Sequence, residues 1–141
     1  MLLSLVAAWS LMALCVVAHA AAMPVLLRWL RRRWDTPQAP WPGTRLFVQL
    51  AGAVVLLHLA EIAAWAFFYA WQRAMPDLAS ALYFSAVTYT TTGYGDLVLP
   101  ESWRLVGAIE ALTGILMCGW STGFFFLIVS RRFTADTRSA R

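Results

Sequence analysis

Lysine does not occur in this chain: all eleven basic residues are arginine, set against seven acids. Charge of either sign is scarce, at 13% of 141 residues, while 61% are apolar. That balance excludes an ordinary solvated globule and points to membrane-crossing helices within a single domain. The net charge of +4 would suit a nucleic-acid partner, but the arginines sit at the ends of apolar runs, where membrane topology signals lie. No nucleic-acid role is expected. Cysteine is nearly absent too. Cys15 and Cys118 lie in separate apolar runs. With no C-x-x-C spacing and no ring of histidines, neither a zinc site nor a redox motif is expected, and both cysteines read as small buried hydrophobes.

What is abundant is uninterrupted apolar chain. Residues 1–27 carry no charge, the run from Arg45 to Arg73 is broken only by His58 and Glu61, and Leu105 to Ser130 holds Glu110 alone. Each exceeds the roughly 20 residues that cross a hydrocarbon core. Three transmembrane helices are expected: an N-terminal span over 1–27, then an outer helix over 46–72 and an inner helix over 104–130. "AHA" at Ala18–Ala20 has the A-x-A form of a signal cleavage site. No arginine precedes the run, however, and it outlasts the roughly 7–15 residues of a signal peptide, so an inserted span is expected.

The connector 28–45 contains Arg28, Arg31, Arg32, Arg33 and Arg45 against Asp35, and the tail 131–141 is basic as well. The segment 73–104 is balanced. The positive-inside bias predicts a cytoplasmic loop and tail and an N-terminus on the outer side. Pro37, Pro40, Pro42 and Gly43 predict a helix-free connector. Its arginines cluster outside the apolar runs, which argues against a voltage-sensing helix.

Between the second and third runs lies "MPDLASALYFSAVTYTTTGYGDLVLPESWR". Pro76 and Asp77 read as a helix start, and residues 77–89 as one helix. At about 1.5 Å per residue this helix reaches roughly 20 Å, too short to cross the bilayer, so it must enter and return. Irregular backbone at membrane depth is tolerated only beside protein or a water-filled cavity. "TTTGYGD" follows directly. Its glycines permit backbone angles that side chains forbid, so successive carbonyls can turn toward one axis. Such carbonyls replace the water around a potassium ion without holding it by full charge. The carboxyl end of the preceding helix adds partial negative charge.

Thr91-Thr92-Gly93-Tyr94-Gly95-Asp96 resembles the T-x-G-Y-G-D selectivity filter of potassium channels. "ALYFSAVTYTTTGYGD" and "SWRLVGAIEALTGILMCGWSTG" are similar to the pore helix with filter, and to the inner helix, of small bacterial two-helix channels. The resemblance covers about two thirds of the chain and leaves the N-terminal span as an addition. It implies an all-α membrane protein with a pore domain over 46–130, assembled as a homotetramer because one ion needs several filter strands. It also implies potassium as the permeant ion, a plasma-membrane location, no cofactor and no catalysis. Thr91, Thr92, Gly93 and Tyr94 would offer oxygens to the ion. Gly95 would turn the chain outward, and the Tyr94 ring would brace the filter against the pore helix. Gly114 would be the gating hinge and Thr122 would face the cavity. Thr92 stands where valine or isoleucine is common. Val87 stands where some relatives carry a glutamate that pairs with the aspartate, which leaves Tyr83 as the expected partner of Asp96.

Glu61 and Glu110 are intramembrane carboxylates, functional by default: one reading has either brace the pore helix in place of the carboxylate missing at 87, the other has a protonated or locally paired glutamate between packed helices. "GWSTG" at 119–123 has the letters of a hydrolase elbow but lies in an apolar helix without a strand, so close helix packing explains it better. Trp71 and Trp103 are expected at the outer interface, and Trp29, Trp34 and Trp41 at the inner one. A weakly selective cation channel and a non-conducting membrane subunit are the alternative readings.

Overall fold

A computed structural model describes residues 2–34 and 42–139. Every long element in it is helical: α1 Leu2–Trp34, α2 Pro42–Trp71, α3 Leu78–Tyr89 and α4 Arg104–Ser139, with a single 3-10 turn at Glu101–Trp103 leading into α4. No strand occurs among the described residues. Three segments are long and apolar enough to cross a membrane: Leu3–Arg33, Thr44–Trp71 and Glu101–Ser130. This is an all-α membrane protein.

The helix ends depart from the expected spans. Helix α1 continues past residue 27, so Arg28, Arg31, Arg32 and Arg33 project from its last turns instead of from a loop. Hydropathy stops where charge begins, but arginine is a good helix former and the backbone does not stop with it. Arg33 lies over the Trp29 ring at 5.4 Å, a cation–π contact at the helix end. Pro42 opens α2, four residues before the expected start, where its missing N–H costs nothing. Helix α4 runs through most of the expected tail. Pro37, Pro40 and Trp41 lie outside the described residues.

Helix α3 is wedged between α2 and α4, and α1 packs on the outside of the α2 and α4 pair. One core forms around α3, where Trp65, Tyr69, Phe84, Tyr89 and Met117 meet Ala8 and Cys15 of α1. The Phe84 ring stands edge-on to Tyr69, with centroids 5.4 Å apart, a favourable geometry for aromatic pairs. A second cluster joins Met23 and Leu30 to Leu50, Val54, Phe124 and Ile128 at the opposite end. Large apolar side chains also face outward along all three long helices, among them Val17, Val48, Leu56 and Phe126. That is the surface a lipid-facing helix presents. Cys15 is buried as expected, but Cys118 is exposed on α4. The apolar run containing Cys118 has no lasting preference for one face, so composition alone misplaced it.

Candidate functional site

The site is built from the end of α2 to the start of α4. Arg73 takes a left-handed φ of 54° and closes α2, with Ala74 N donating to Tyr69 O at 2.9 Å. Asp77 then caps α3. Its carboxylate accepts from Ser80 N at 2.7 Å and from Ser80 Oγ at 3.1 Å, satisfying one of the open donors of the first turn. Asp77 is therefore the cap, not the first helical residue.

Two buried carboxylates hold α3 in place. Glu110 of α4, fully buried, accepts from Tyr69 Oη of α2 at 2.8 Å and from Ser85 Oγ at the middle of α3. Ser85 Oγ also reaches Ile62 O at 2.9 Å. Glu61 of α2 accepts from Tyr89 Oη at the last turn of α3. Ser85 and Tyr89 are four apart and so lie on one helix face. Glu61 has further partners: His19 Nδ1 of α1 lies 2.7 Å from its Oε1, and His58 Nδ1 lies 3.6 Å from its Oε2. His58 Nδ1 is also 3.0 Å from Tyr89 Oη. Both histidines point their other nitrogen at Ser121 Oγ of α4, at 3.0 and 3.1 Å.

After Tyr89 the backbone peels away from the helix in stages. Thr90 N donates to Ala86 O, Thr91 N to Thr88 O and Gly93 N to Val87 O, at 2.9–3.1 Å. Thr90 Oγ1 bonds Ala86 O at 2.7 Å and lies 3.0 Å from Thr92 Oγ1. Left-handed φ values then recur at every second residue: 59° at Thr91, 52° at Gly93 and 77° at Gly95. Thr92 and Tyr94 keep negative φ. In a plain strand successive carbonyls point to opposite sides. Alternating handedness reverses every second peptide plane and so removes that opposition. Glycine adopts this φ freely, but a β-branched threonine does so only under outside constraint.

The whole segment 90–96 is exposed. Tyr94 is 72% exposed, so its own pore helix does not cover its ring. Behind the segment, Tyr83 Oη donates to Asp96 Oδ2 at 2.7 Å, and Leu97 N donates to Asp96 Oδ1 at 3.1 Å. Val87 is half-buried beside them. The Tyr83 hydroxyl, first among the causes, holds the Asp96 carboxyl below the usual carboxylate range. A carboxylate lowered in this way contributes its bond above the ordinary pKa and loses it as pH falls through the lowered one. Tyr83→Phe is expected to move the Asp96 titration, followed by carbon NMR of its carboxyl, to higher pH. An unmoved titration would show that the hydroxyl carries nothing.

Gly114 is buried where α4 crosses the end of α3, against the Tyr89 carbonyl. Thr122 is exposed, its Oγ1 donating to Cys118 O at 2.9 Å. The structure thus sets the segment 91–96 after the carboxyl end of α3 with Asp96 bonded back to Tyr83 at mid-helix, and brings Glu61 and Glu110 to the buried side of α3. Sequence reasoning missed Ser85, Tyr89, Tyr69, His19 and Ser121. The i, i+4 pair Ser85 and Tyr89 on one face of α3 was the available signal, whereas nothing local marks His19 or Ser121.

Residues 53–131 match a family model described as ion channel, a stretch that takes in most of α2, all of α3, the segment 91–96 and the apolar part of α4. Neither the curated proteins nor the solved structures give a match to the chain.

Proposed function

We propose that this chain, which belongs to the ion channel family, forms a potassium-selective pore together with three further copies of itself. The observation that carries the reading is the alternation of left-handed φ at Thr91, Gly93 and Gly95, in a T-x-G-Y-G segment at the carboxyl end of a short helix. That backbone suits carbonyls that must face one axis. The carbonyls of Thr91, Thr92, Gly93 and Tyr94, with the Thr91 hydroxyl, would replace the ion's water. Ions would then move passively between adjacent sites by mutual displacement. The negative end of the α3 dipole favours a cation at the inner end of the filter.

One chain supplies one strand of such a filter, and four strands close it by rotation. The exposure of residues 90–96 in the single chain fits that assembly: a neighbouring copy would cover the Tyr94 ring and give it the bracing surface its own helix withholds. Glu61 and Glu110 would brace the pore helix from behind, and the Tyr83–Asp96 bond would hold the outer turn. Thr122 would face the inner cavity. A bend of α4 at Gly114 would begin where this helix touches the Tyr89 carbonyl, so movement there would be felt at the filter. The arginine-rich end of α1 would lie in the cytoplasm, with the N-terminus outside the plasma membrane.

Flux from liposomes containing the purified chain tests this directly. Potassium is expected to leave at least tenfold faster than sodium, a ratio that corresponds to about 1.4 kcal/mol of discrimination. Equal passage of both ions would leave a weakly selective cation channel. Absence of flux from a tetrameric preparation would favour a non-conducting subunit.

A further inference from the structure

We propose that His19, His58 and Glu61 form a binding site for a zinc-class divalent metal ion that clamps α1 onto the pore domain. Their donor atoms come from two helices and lie within 4.8 Å of one another. His19 is fully buried and Glu61 nearly so, while His58 is 16% exposed and opens the cluster on one side. The Nδ1 atoms of both histidines face the Glu61 carboxylate, at 2.7 and 3.6 Å. A tetrahedral zinc ion with bonds of about 2.0–2.1 Å sets its ligands roughly 3.3 Å apart, a spacing between those two values. Small side-chain shifts therefore admit the ion, with a fourth position left for water.

With Glu61 ionised and both histidines neutral the network is one hydrogen short, and either one further proton or a metal ion completes it. Tyr89 Oη donates its hydrogen to Glu61, so His58 Nδ1, 3.0 Å from that oxygen, must bring a hydrogen of its own. His19 Nδ1 must likewise donate to an ionised Glu61. Two neutral histidines protonated at Nδ1 then present two lone pairs to Ser121 Oγ, which has one hydrogen to give. A metal held by both Nδ1 atoms reverses this. Each Nε2 then carries a hydrogen, and the two lone pairs of Ser121 Oγ accept both. This is the outer-shell support that metal-bound histidines use. The dication also offsets the buried carboxylate. Imidazole nitrogen with one carboxylate suits zinc and its neighbours, whereas magnesium and calcium demand oxygen.

The consequence is local to the pore. His19 belongs to the additional N-terminal helix, and Tyr89, in the outer shell, lies two residues before Thr91. An occupied site would therefore tie α1 to the inner end of the filter.

The test uses the tag-free chain in detergent, titrated with Co2+ and then with Zn2+. The expected result is one Co2+ per chain, with the intense visible absorption of a tetrahedral nitrogen and oxygen site, displaced by Zn2+. His19→Ala and His58→Ala should each weaken binding at least tenfold, while Cys118→Ser should leave it unchanged. Absence of stoichiometric Co2+ or Zn2+ binding by the unmodified chain would overturn the proposal and leave a proton-held network. So would a thiolate charge-transfer band, loss of binding in Cys118→Ser, or equal binding by the double variant His19→Ala, His58→Ala.

Discussion

Gly114→Ala is expected to unseat α3 and abolish both thermal stability of the proposed assembly and its ion flux. A Cβ at this position would stand 1.8 Å from Tyr89 O, 2.7 Å from its carbonyl carbon and 3.1 Å from its Cα. These are backbone atoms, so no rotamer change relieves the overlap. Helices α3 and α4 would have to separate by roughly 1 Å or more in an interior packed like a crystal. Overpacking of well-filled cores costs about 1–3 kcal/mol, and a clash against backbone lies at or beyond the upper end. The displaced atoms belong to the residue just before Thr90 and Thr91, so the filter would move with them, and Tyr89 Oη would be drawn from Glu61. Gly119→Ala is the control, because a Cβ there would meet nothing beyond its own stretch of helix within 4 Å. A purely hinge-like Gly114 makes the opposite forecast: an intact, heat-resistant assembly with altered opening. Size-exclusion profiles after heating, together with liposome flux, separate the two. Survival of the assembly in Gly114→Ala would refute the close contact.

The second large effect is expected at Glu110. Its side chain is fully buried and is the joint acceptor for Tyr69 of α2 and Ser85 of α3. Ser85 retains Ile62 O when the carboxylate is removed, but Tyr69 Oη has no second acceptor among the described residues. Glu110→Ala therefore strands one buried hydroxyl, at about 1–3 kcal/mol, and leaves a void whose cost adds to it. A loss of about 2–4 kcal/mol is expected in the unfolding free energy of the reconstituted protein. Glu110→Gln keeps the shape and one acceptor oxygen, so its loss should be clearly smaller. Glu110→Ala also loosens the middle of α3, and the potassium preference that the proposed function expects in flux should fall with it. Glu110→Ala as stable as the unmodified protein would show that the bridge contributes nothing.

Much of the fold was legible because its causes are local. Scarce charge, three uncharged runs and a short helix start at Pro76 and Asp77 mark the spans and α3 without reference to any distant residue. Helix ends were less legible. Hydropathy reports where lipid stops, and α1 and α4 continue beyond that point because arginine favours helix as well as water. Within the site, the T-x-G-Y-G letters could be read along one short segment, and the Tyr83–Asp96 pairing followed from the resemblance, which marks Val87 as a departure. The exposure of the Tyr94 ring could not be read, since no letter of the segment marks that its own chain leaves the ring uncovered. Nor could two partners of Glu61, His19 of α1 and Tyr89 of α3, which lie far from it in sequence.

By itself, then, the sequence determined the composition-driven choice of membrane over water, the three helices long enough to cross, the short α3 between them and the glycine-dependent backbone after it. Each of these is a property of contiguous residues and their solvent. Tertiary structure alone decided which polar groups meet. It set Gly114 against the Tyr89 carbonyl and made Glu110 the joint of three helices. It also gathered His19, His58, Glu61 and Ser121 from three separate apolar runs. Helix packing brings together side chains that no local pattern relates, because in an apolar interior each buried polar group must find whichever partner the crossing of helices supplies.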